Sequence, residues 1–319
     1  MTSLFQPPFP NADRQTLHWH DLFGSAVSLA ISQNISTNKS LVVTVVRDNR
    51  QLGRLHNEIQ FYRSNRLEPP LIKLPDWECL PYDIFSPHRE ITSERLRTLA
   101  TLPNLKDGLL LITVETLMQK LPPSTHILGQ IFLLKTGDQL NIDSLRKRLQ
   151  LAGYRSVSQV MEAGEYAIRG GVIDLFALGF NRPFRLDLFG SEIESIRFFD
   201  TETQRSLESV DRLDILPAHE FPMTAEGIDL FRANFRTEFE GDPHLHLIYR
   251  EVSKGNIPNG LDHFFPLFFS KTSTIFDYIP SNSCWIVDSD LTTQADTLWA
   301  QIADRYNIAV GNEERRPLA

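Results

Sequence analysis

Two short stretches constrain the fold more than anything else in the chain. Leu41 to Val46 reads Leu-Val-Val-Thr-Val-Val, and Gly108 to Thr113 reads Gly-Leu-Leu-Leu-Ile-Thr. Both are continuously apolar, and the first is rich in β-branched residues. Strands that face water on one side alternate polar and apolar residues; strands covered on both sides do not. These two therefore read as interior strands of a parallel sheet. Between them, Leu55 to Tyr62 has helical spacing, and Glu90 to Leu102 places Ile91, Leu96, Leu99 and Leu102 on one helical face, with Thr92 or Ser93 as the expected cap. Val114 to Lys120 follows as a short helix. Strand, helix, strand, helix is the order of an α/β layer with right-handed crossovers.

From about Gly129 the texture changes. Ile131 to Leu134 reads as a strand, and Asp143 to Leu151 as a helix closed by Gly153. Short alternating strands follow at Glu165 to Arg169, Val172 to Phe176, Phe184 to Phe189 and Glu192 to Phe199, separated by Gly170–Gly171, Gly179 to Pro183 and Gly190–Ser191. This is the pattern of a mainly antiparallel α+β domain ending near Pro217. Beyond it, Thr224 to Phe235 reads as a helix, Phe264 to Phe269 is strongly aromatic, Cys284 to Val287 reads as a buried strand, and Leu291 to Tyr306 as a last helix. The return of a buried strand predicts that the final part packs back on the first. The fold class expected is α/β: a split parallel-sheet domain resembling a degenerate P-loop NTPase or helicase-like domain, with an inserted, mainly antiparallel α+β domain. The boundaries expected are 1–128, 129–217 and 218–319.

Composition narrows the function classes. The 319 residues carry a formal net charge of −8, which disfavours a large phosphate-contacting surface while leaving room for a local basic patch. The two cysteines, Cys79 and Cys284, have no zinc-type spacing, and few thiols fit a reducing cytoplasm. Residues 1 to 10 lack the basic-then-apolar order of a secretory signal, and no apolar run is long enough to cross a bilayer. The C-terminal residues 313–319 are polar and carry no structural stop, as in a piece cut from a longer protein.

The α/β order invites a nucleotide site, so the residues that would build one matter. A P-loop needs glycines, a lysine for the phosphates and a hydroxyl for magnesium, just before a helix. The nearest match is Gly24-Ser25-Ala26-Val27-Ser28. Val27 stands where lysine belongs, and valine offers a phosphate neither charge nor a donor, so the loop reads as a structural turn without ATP. The alternative is a nucleotide-binding motor fragment of a DNA translocase. The pairs His18/His20 and His244/His246 lack accompanying acids or cysteines and read as surface or packed residues rather than metal ligands. Asp174, Asp187 and Asp200 lie in strands at irregular spacing, and nothing local joins them. No catalytic residue is assigned.

Strand alternation singles out one surface. In Phe184 to Phe189, Phe184, Leu186 and Leu188 share an apolar face, while Arg185, Asp187 and Phe189 take the other. In Glu165 to Arg169, Tyr166 and Ile168 point one way and Arg169 the other. If the strands share a sheet, Arg169, Arg185 and Phe189 form one patch with the composition of an interface anchor. The competing reading is a solvated face whose arginines pair with Glu165, Glu192 or Glu194.

Three segments carry a resemblance. They are Leu74-Pro75-Asp76-Trp77-Glu78-Cys79-Leu80-Pro81-Tyr82-Asp83-Ile84-Phe85-Ser86-Pro87-His88, the run Gln159 to Gly170 with Val172 to Phe176, and Leu216-Pro217-Ala218-His219-Glu220-Phe221-Pro222. Together they resemble the N-terminal module of the bacterial transcription-repair coupling factors, a module homologous to part of the excision-repair protein UvrB. The resemblance implies a split α/β domain with an inserted second domain that binds UvrA, with Arg169, Arg185 and Phe189 at the contact. It also implies that RNA polymerase, DNA, ATP and magnesium belong to translocase and polymerase-binding parts that this chain lacks. The passage from Ser86 to Glu94 is too short for the DNA-probing hairpin of UvrB.

Overall fold

The computed structural model describes residues 7, 8, 15–35, 39–63 and 69–318, so most of the N-terminal segment read for a signal lies outside the described residues. The chain forms two compact units. One comprises Met1–Glu78, Thr101–Lys120 and Ser273–Ala303; the other comprises Cys79–Ala100, Leu121–Thr272 and Asp304–Ala319.

The first unit is built on a parallel sheet. Its helices are α1 (Ala26–Ile35), α2 (Asn49–Tyr62) and α4 (Val114–Met118), and its strands are β1 (Leu41–Val46), β2 (Leu71–Leu74), β3 (Gly108–Thr113) and β12 (Cys284–Ile286), in the order β12-β1-β3-β2. Every residue of β1 and β3 is buried, as their unbroken apolar sequences require. Ile31 and Ile35 of α1 and Leu52, Leu55 and Ile59 of α2 pack on one sheet face against Val42, Val46, Leu109 and Leu111. β12 pairs with β1 in parallel, Val42 opposite Cys284. It is an edge strand and only half-buried, which corrects the expectation of a buried strand at Cys284 to Val287. The helix after β1 starts earlier than its apolar spacing predicted, because Asp48 caps it by accepting from the Gln51 backbone N–H at 2.8 Å.

The start of α1 holds the Gly24 to Ser28 segment. Gly24 adopts a left-handed φ of 59°, and the chain turns there into the helix. Both hydroxyls of the segment are engaged by α2: the Ser25 hydroxyl shares a 2.9 Å hydrogen bond with the Tyr62 hydroxyl, and Ser28 donates to the Glu58 carboxylate. The likeness to a nucleotide-binding loop extends to the turn into a helix and no further.

The second unit contains α3 (Arg89–Thr101), α5 (Ser124–Gln130), α6 (Ile142–Leu151), α7 (Ala225–Glu238) and α8 (Leu247–Ser253). Its larger sheet orders β10 (Ser206–Val210), β9 (Glu192–Phe199), β8 (Phe184–Phe189), β7 (Val172–Leu175), β6 (Glu165–Arg169) and β5 (Arg155–Ser156). All neighbours are antiparallel except β5 and β6. A smaller sheet pairs β4 (Phe132–Lys135) with β11 (Arg212–Ile215). The final helix α9 spans Leu291–Ala309.

Thr92 and Ser93 are not caps; they lie inside α3. Their hydroxyls serve other ends. Thr92 donates back to the His88 carbonyl, and Ser93 accepts from the Gly179 backbone N–H at 2.6 Å. Arg97 donates to the Gly179 carbonyl at 2.8 Å and Arg89 to that of Ala163 at 3.1 Å, so α3 is fastened to the turns around the sheet. Arg95, fully buried, forms a two-pronged ion pair with buried Glu220, Nε to Oε1 at 2.6 Å and Nη2 to Oε2 at 3.4 Å. The aromatic run near 264–269 forms a 3-10 helix, Leu261–Phe268, whose Phe268 ring packs 4.8 Å from Phe231 and 5.0 Å from Phe221. Among the described residues, no helix is long and apolar enough to cross a membrane.

Candidate functional site

The register of the six-stranded sheet fixes which side chains share its outer face. Ala167, Asp174, Arg185 and Arg197 stand side by side across β6, β7, β8 and β9, and Arg169, Val172, Asp187 and Ser195 form the next row. Phe189, opposite Glu192, lies one row beyond. Side chains in register project to the same side, so Arg169, Arg185 and Phe189 do share one face. Strand spacing and rise put the Arg169 and Phe189 backbones roughly 12 Å apart. The opposite face carries Tyr166, Ile173, Phe184, Leu186 and Ile196, all buried.

The outer face is graded from covered to open. At its inner end Ala167 and Phe199 pack with Val160, and Val157 and Phe176 close over them. In the middle sits Asp174, a carboxylate with only 1% of its side chain exposed. At the outer end Phe189 is 79% exposed, a large apolar ring in water.

Asp174 organises the middle. Arg185 grips it with two donors, Nε to Oδ1 at 2.6 Å and Nη2 to Oδ2 at 2.9 Å, and its third nitrogen donates to the Gln204 carbonyl at 3.0 Å. Its guanidinium also lies 4.7 Å from the centre of the Phe199 ring. The hydrogen bonds to Asp174 raise the Arg185 pKa above its ordinary value. Arg169 donates to the same Asp174 Oδ2 at 2.5 Å from the other side. A second pair lies beside the first: Arg197 to Asp187 at 3.2 Å, with the Ser195 hydroxyl donating to Asp187 at 2.9 Å.

The sequence-based reading needs two corrections here. The arginines pair with Asp174, not with Glu165, Glu192 or Glu194; Glu165 is held by Arg155. And Arg185 is largely covered, its side chain 17% exposed, against 53% for Arg169. Asp174 and Arg197 were missing from the expected face; Asp187 had been placed on it by alternation but not counted in the patch. An acid in the otherwise apolar Val172-Ile173-Asp174-Leu175 was the available signal: on a buried strand an aspartate demands a cation. Asp200 does not join the cluster; it accepts from Thr203 in the turn after β9.

The histidine pairs fold into other surroundings. His246 is buried, its ring 5.0 Å from Phe235, with Nε2 2.9 Å from the Arg316 carbonyl. The His18 and His20 rings stack 6.2 Å apart. Among the described residues, no group of three or more His, Cys, Asp or Glu is placed to hold a metal ion.

Comparison with known proteins gives this geometry a context. Residues 132–221 match the UvrB interaction domain family. The chain is 42% identical over 308 residues to the transcription-repair-coupling factor of Haemophilus influenzae, covering 96% of this chain and 26% of that protein. It is also 42% identical over 299 residues to the transcription-repair-coupling factor of Escherichia coli, covering 93% and 26%. The Staphylococcus aureus (strain MRSA252) protein of the same name is 29% identical over 329 residues, covering 92% and 28%. The chain spans about a quarter of the length of the curated relatives it matches. Over nearly its whole length the chain is thus similar to one quarter of a transcription-repair-coupling factor, and residues 132–221 are similar to the UvrB interaction domain.

Proposed function

We propose that this chain is a non-catalytic docking module for nucleotide excision repair, which recruits UvrA through the outer face of its six-stranded sheet. The supporting observation is Phe189, 79% exposed at the open end of a face that also carries two arginines on one buried carboxylate, inside the UvrB interaction domain. An exposed aromatic beside fixed guanidinium groups has the make-up of an interface hot spot. Arg169 offers the charge and Phe189 the apolar area. Arg185, mostly covered, contributes less by direct contact than by holding the face in shape.

The nucleotide-motor alternative finds no support at Gly24 to Ser28. The Ser28 hydroxyl, which a P-loop would turn toward magnesium, is held by Glu58, and a carboxylate there repels phosphate. On this reading ATP, magnesium, DNA and RNA polymerase are handled by the parts of the coupling factor outside the matched quarter, and the protein works in the cytoplasm.

The test is calorimetric titration of purified UvrA with the wild-type chain and with Phe189→Ala. Loss of the ring should weaken binding by roughly 2 kcal/mol, about thirtyfold, with folding unchanged. Equal affinity of the folded variant and the wild type would remove the docking assignment.

A further inference from the structure

We infer that Asp174 is the positioning residue of this docking face: one buried carboxylate sets both arginines so that Arg169 meets a carboxylate on the partner. The inference rests on the docking reading above and concerns how the face is held. Asp174 lies in the centre of the sheet, 1% exposed, and accepts three hydrogen bonds, two from Arg185 and one from Arg169. Its Oδ2 is shared by the two guanidinium groups.

The two arginines then have different duties. Arg185 is clamped by Asp174, by the Gln204 carbonyl and over the Phe199 ring, and is 17% exposed. It pins the carboxylate. Arg169 makes one hydrogen bond, to Asp174, and is 53% exposed, so most of its five N–H donors remain for a partner. A planar guanidinium fixed at one corner is preorganised for a carboxylate at the other.

Charge fixes the chemistry of that partner group. The two central rows of the face hold three arginines, Arg169, Arg185 and Arg197, against two aspartates, Asp174 and Asp187. Glu192, opposite Phe189 in the next row, offsets the remaining positive charge over the whole face, so it is the exposed donors of Arg169, the most exposed of the three arginines, that call for a carboxylate. The partner surface that complements them presents an aspartate or glutamate next to an apolar socket for Phe189.

Positioning and bulk charge make opposite predictions. Asp174→Asn removes a negative charge and makes the face more positive. If Asp174 served only to set the net charge, an acidic partner would bind the variant more tightly. If it positions Arg169, binding falls even though the charge now favours it.

The experiment titrates purified UvrA with the 319-residue chain as wild type, Phe189→Ala, Asp174→Asn, Arg169→Ala and the Asp174→Asn/Arg169→Ala double variant, each first checked for folding by circular dichroism. Asp174→Asn should weaken binding about tenfold or more, and adding Arg169→Ala should weaken it by less than about twofold further, because one interaction has then been lost twice. Unchanged or tighter binding by Asp174→Asn overturns the inference, and so does additivity in the double variant. If Asp174→Asn does not fold, Arg185→Lys takes its place: it keeps the charge but cannot make the two-pronged hold, and unchanged binding would again overturn the inference. Wild-type affinity of Phe189→Ala would instead sink the docking reading. Weak binding by Phe189→Ala with full binding by Asp174→Asn would sink the positioning role alone.

Discussion

Acid should destabilise this protein through histidines that the fold keeps neutral, and His219 is the sharpest case. Its ring stacks 5.3 Å from Phe221, and it sits so close to Gly153 that a Cβ on that glycine would lie 2.6 Å from its Cδ2. Burial, with the Arg89 guanidinium as a second cause, lowers the His219 pKa to about 4. An unfolded histidine titrates near 6.5, so between these values the unfolded chain binds the extra proton and the folded one does not. Stability is therefore full above about pH 6.5 and falls as pH drops toward 4. Two and a half pH units at about 1.36 kcal/mol each give about 3.4 kcal/mol. That is a ceiling, because part of the residue reaches solvent, and 2–3 kcal/mol is the expectation, roughly. Urea unfolding at about pH 7 and about pH 4.5, followed by circular dichroism, measures it in the wild type and in His219→Gln. The variant should lose about 2–3 kcal/mol less than the wild type over that interval, whatever its stability at neutral pH. Equal losses in the two proteins would refute the reasoning. His126 and His263, both also lowered to about 4 by burial, make the wild-type loss larger still but cancel in the comparison.

Three further outcomes follow from particular contacts. Glu220→Gln removes the carboxylate that fully buried Arg95 grips with two donors and should cost roughly 3–5 kcal/mol in urea unfolding; a cost below about 1 kcal/mol would show that this ion pair is not what holds α3. Gly108→Ala should cost about 1–3 kcal/mol by the same measurement, since its φ is 121° and a Cβ would lie 2.6 Å from the Pro70 carbonyl oxygen. Thr224→Ala removes the side chain that accepts from the Gly227 N–H at 3.2 Å and caps α7, a loss of about 1 kcal/mol in thermal or urea unfolding.

How much of the fold was legible depended on whether a segment's partners were written into its own pattern. β1 and β3 were, because a strand buried on both faces must be apolar throughout. The hairpins of the larger sheet were, because glycine turns bracket alternating runs. β10 was not: Ser206 to Val210 is an exposed edge with no apolar stripe to mark it. β11 was not, because Arg212 to Ile215 has meaning only beside β4, and that pairing is set by the tertiary fold. The cap of α3, though not its start, was misjudged for a similar reason. Ser93 looks like a cap by composition, yet its hydroxyl is used to receive the Gly179 N–H from a distant loop.

The outer face of the six-stranded sheet shows the same limit in chemical terms. Alternation assigns a side chain to a face but carries no information on how deeply that face is covered. Arg169 and Arg185 have the same parity, and the sequence treated them alike; the structure separates them, because Phe199 and the Val157–Val160 segment cover only the end where Arg185 stands. What joins the two is a single buried acid on the strand between them. Asp174 is tolerable there because both arginines reach it, and it in turn helps to order them, Arg185 together with the Gln204 carbonyl and the Phe199 ring. A carboxylate that costs stability when unpaired thus becomes the element that turns two flexible cations into one fixed and one outward-facing donor set. Phe189 needs no such support: its place beside the Gly190 turn of the hairpin leaves the ring 79% exposed.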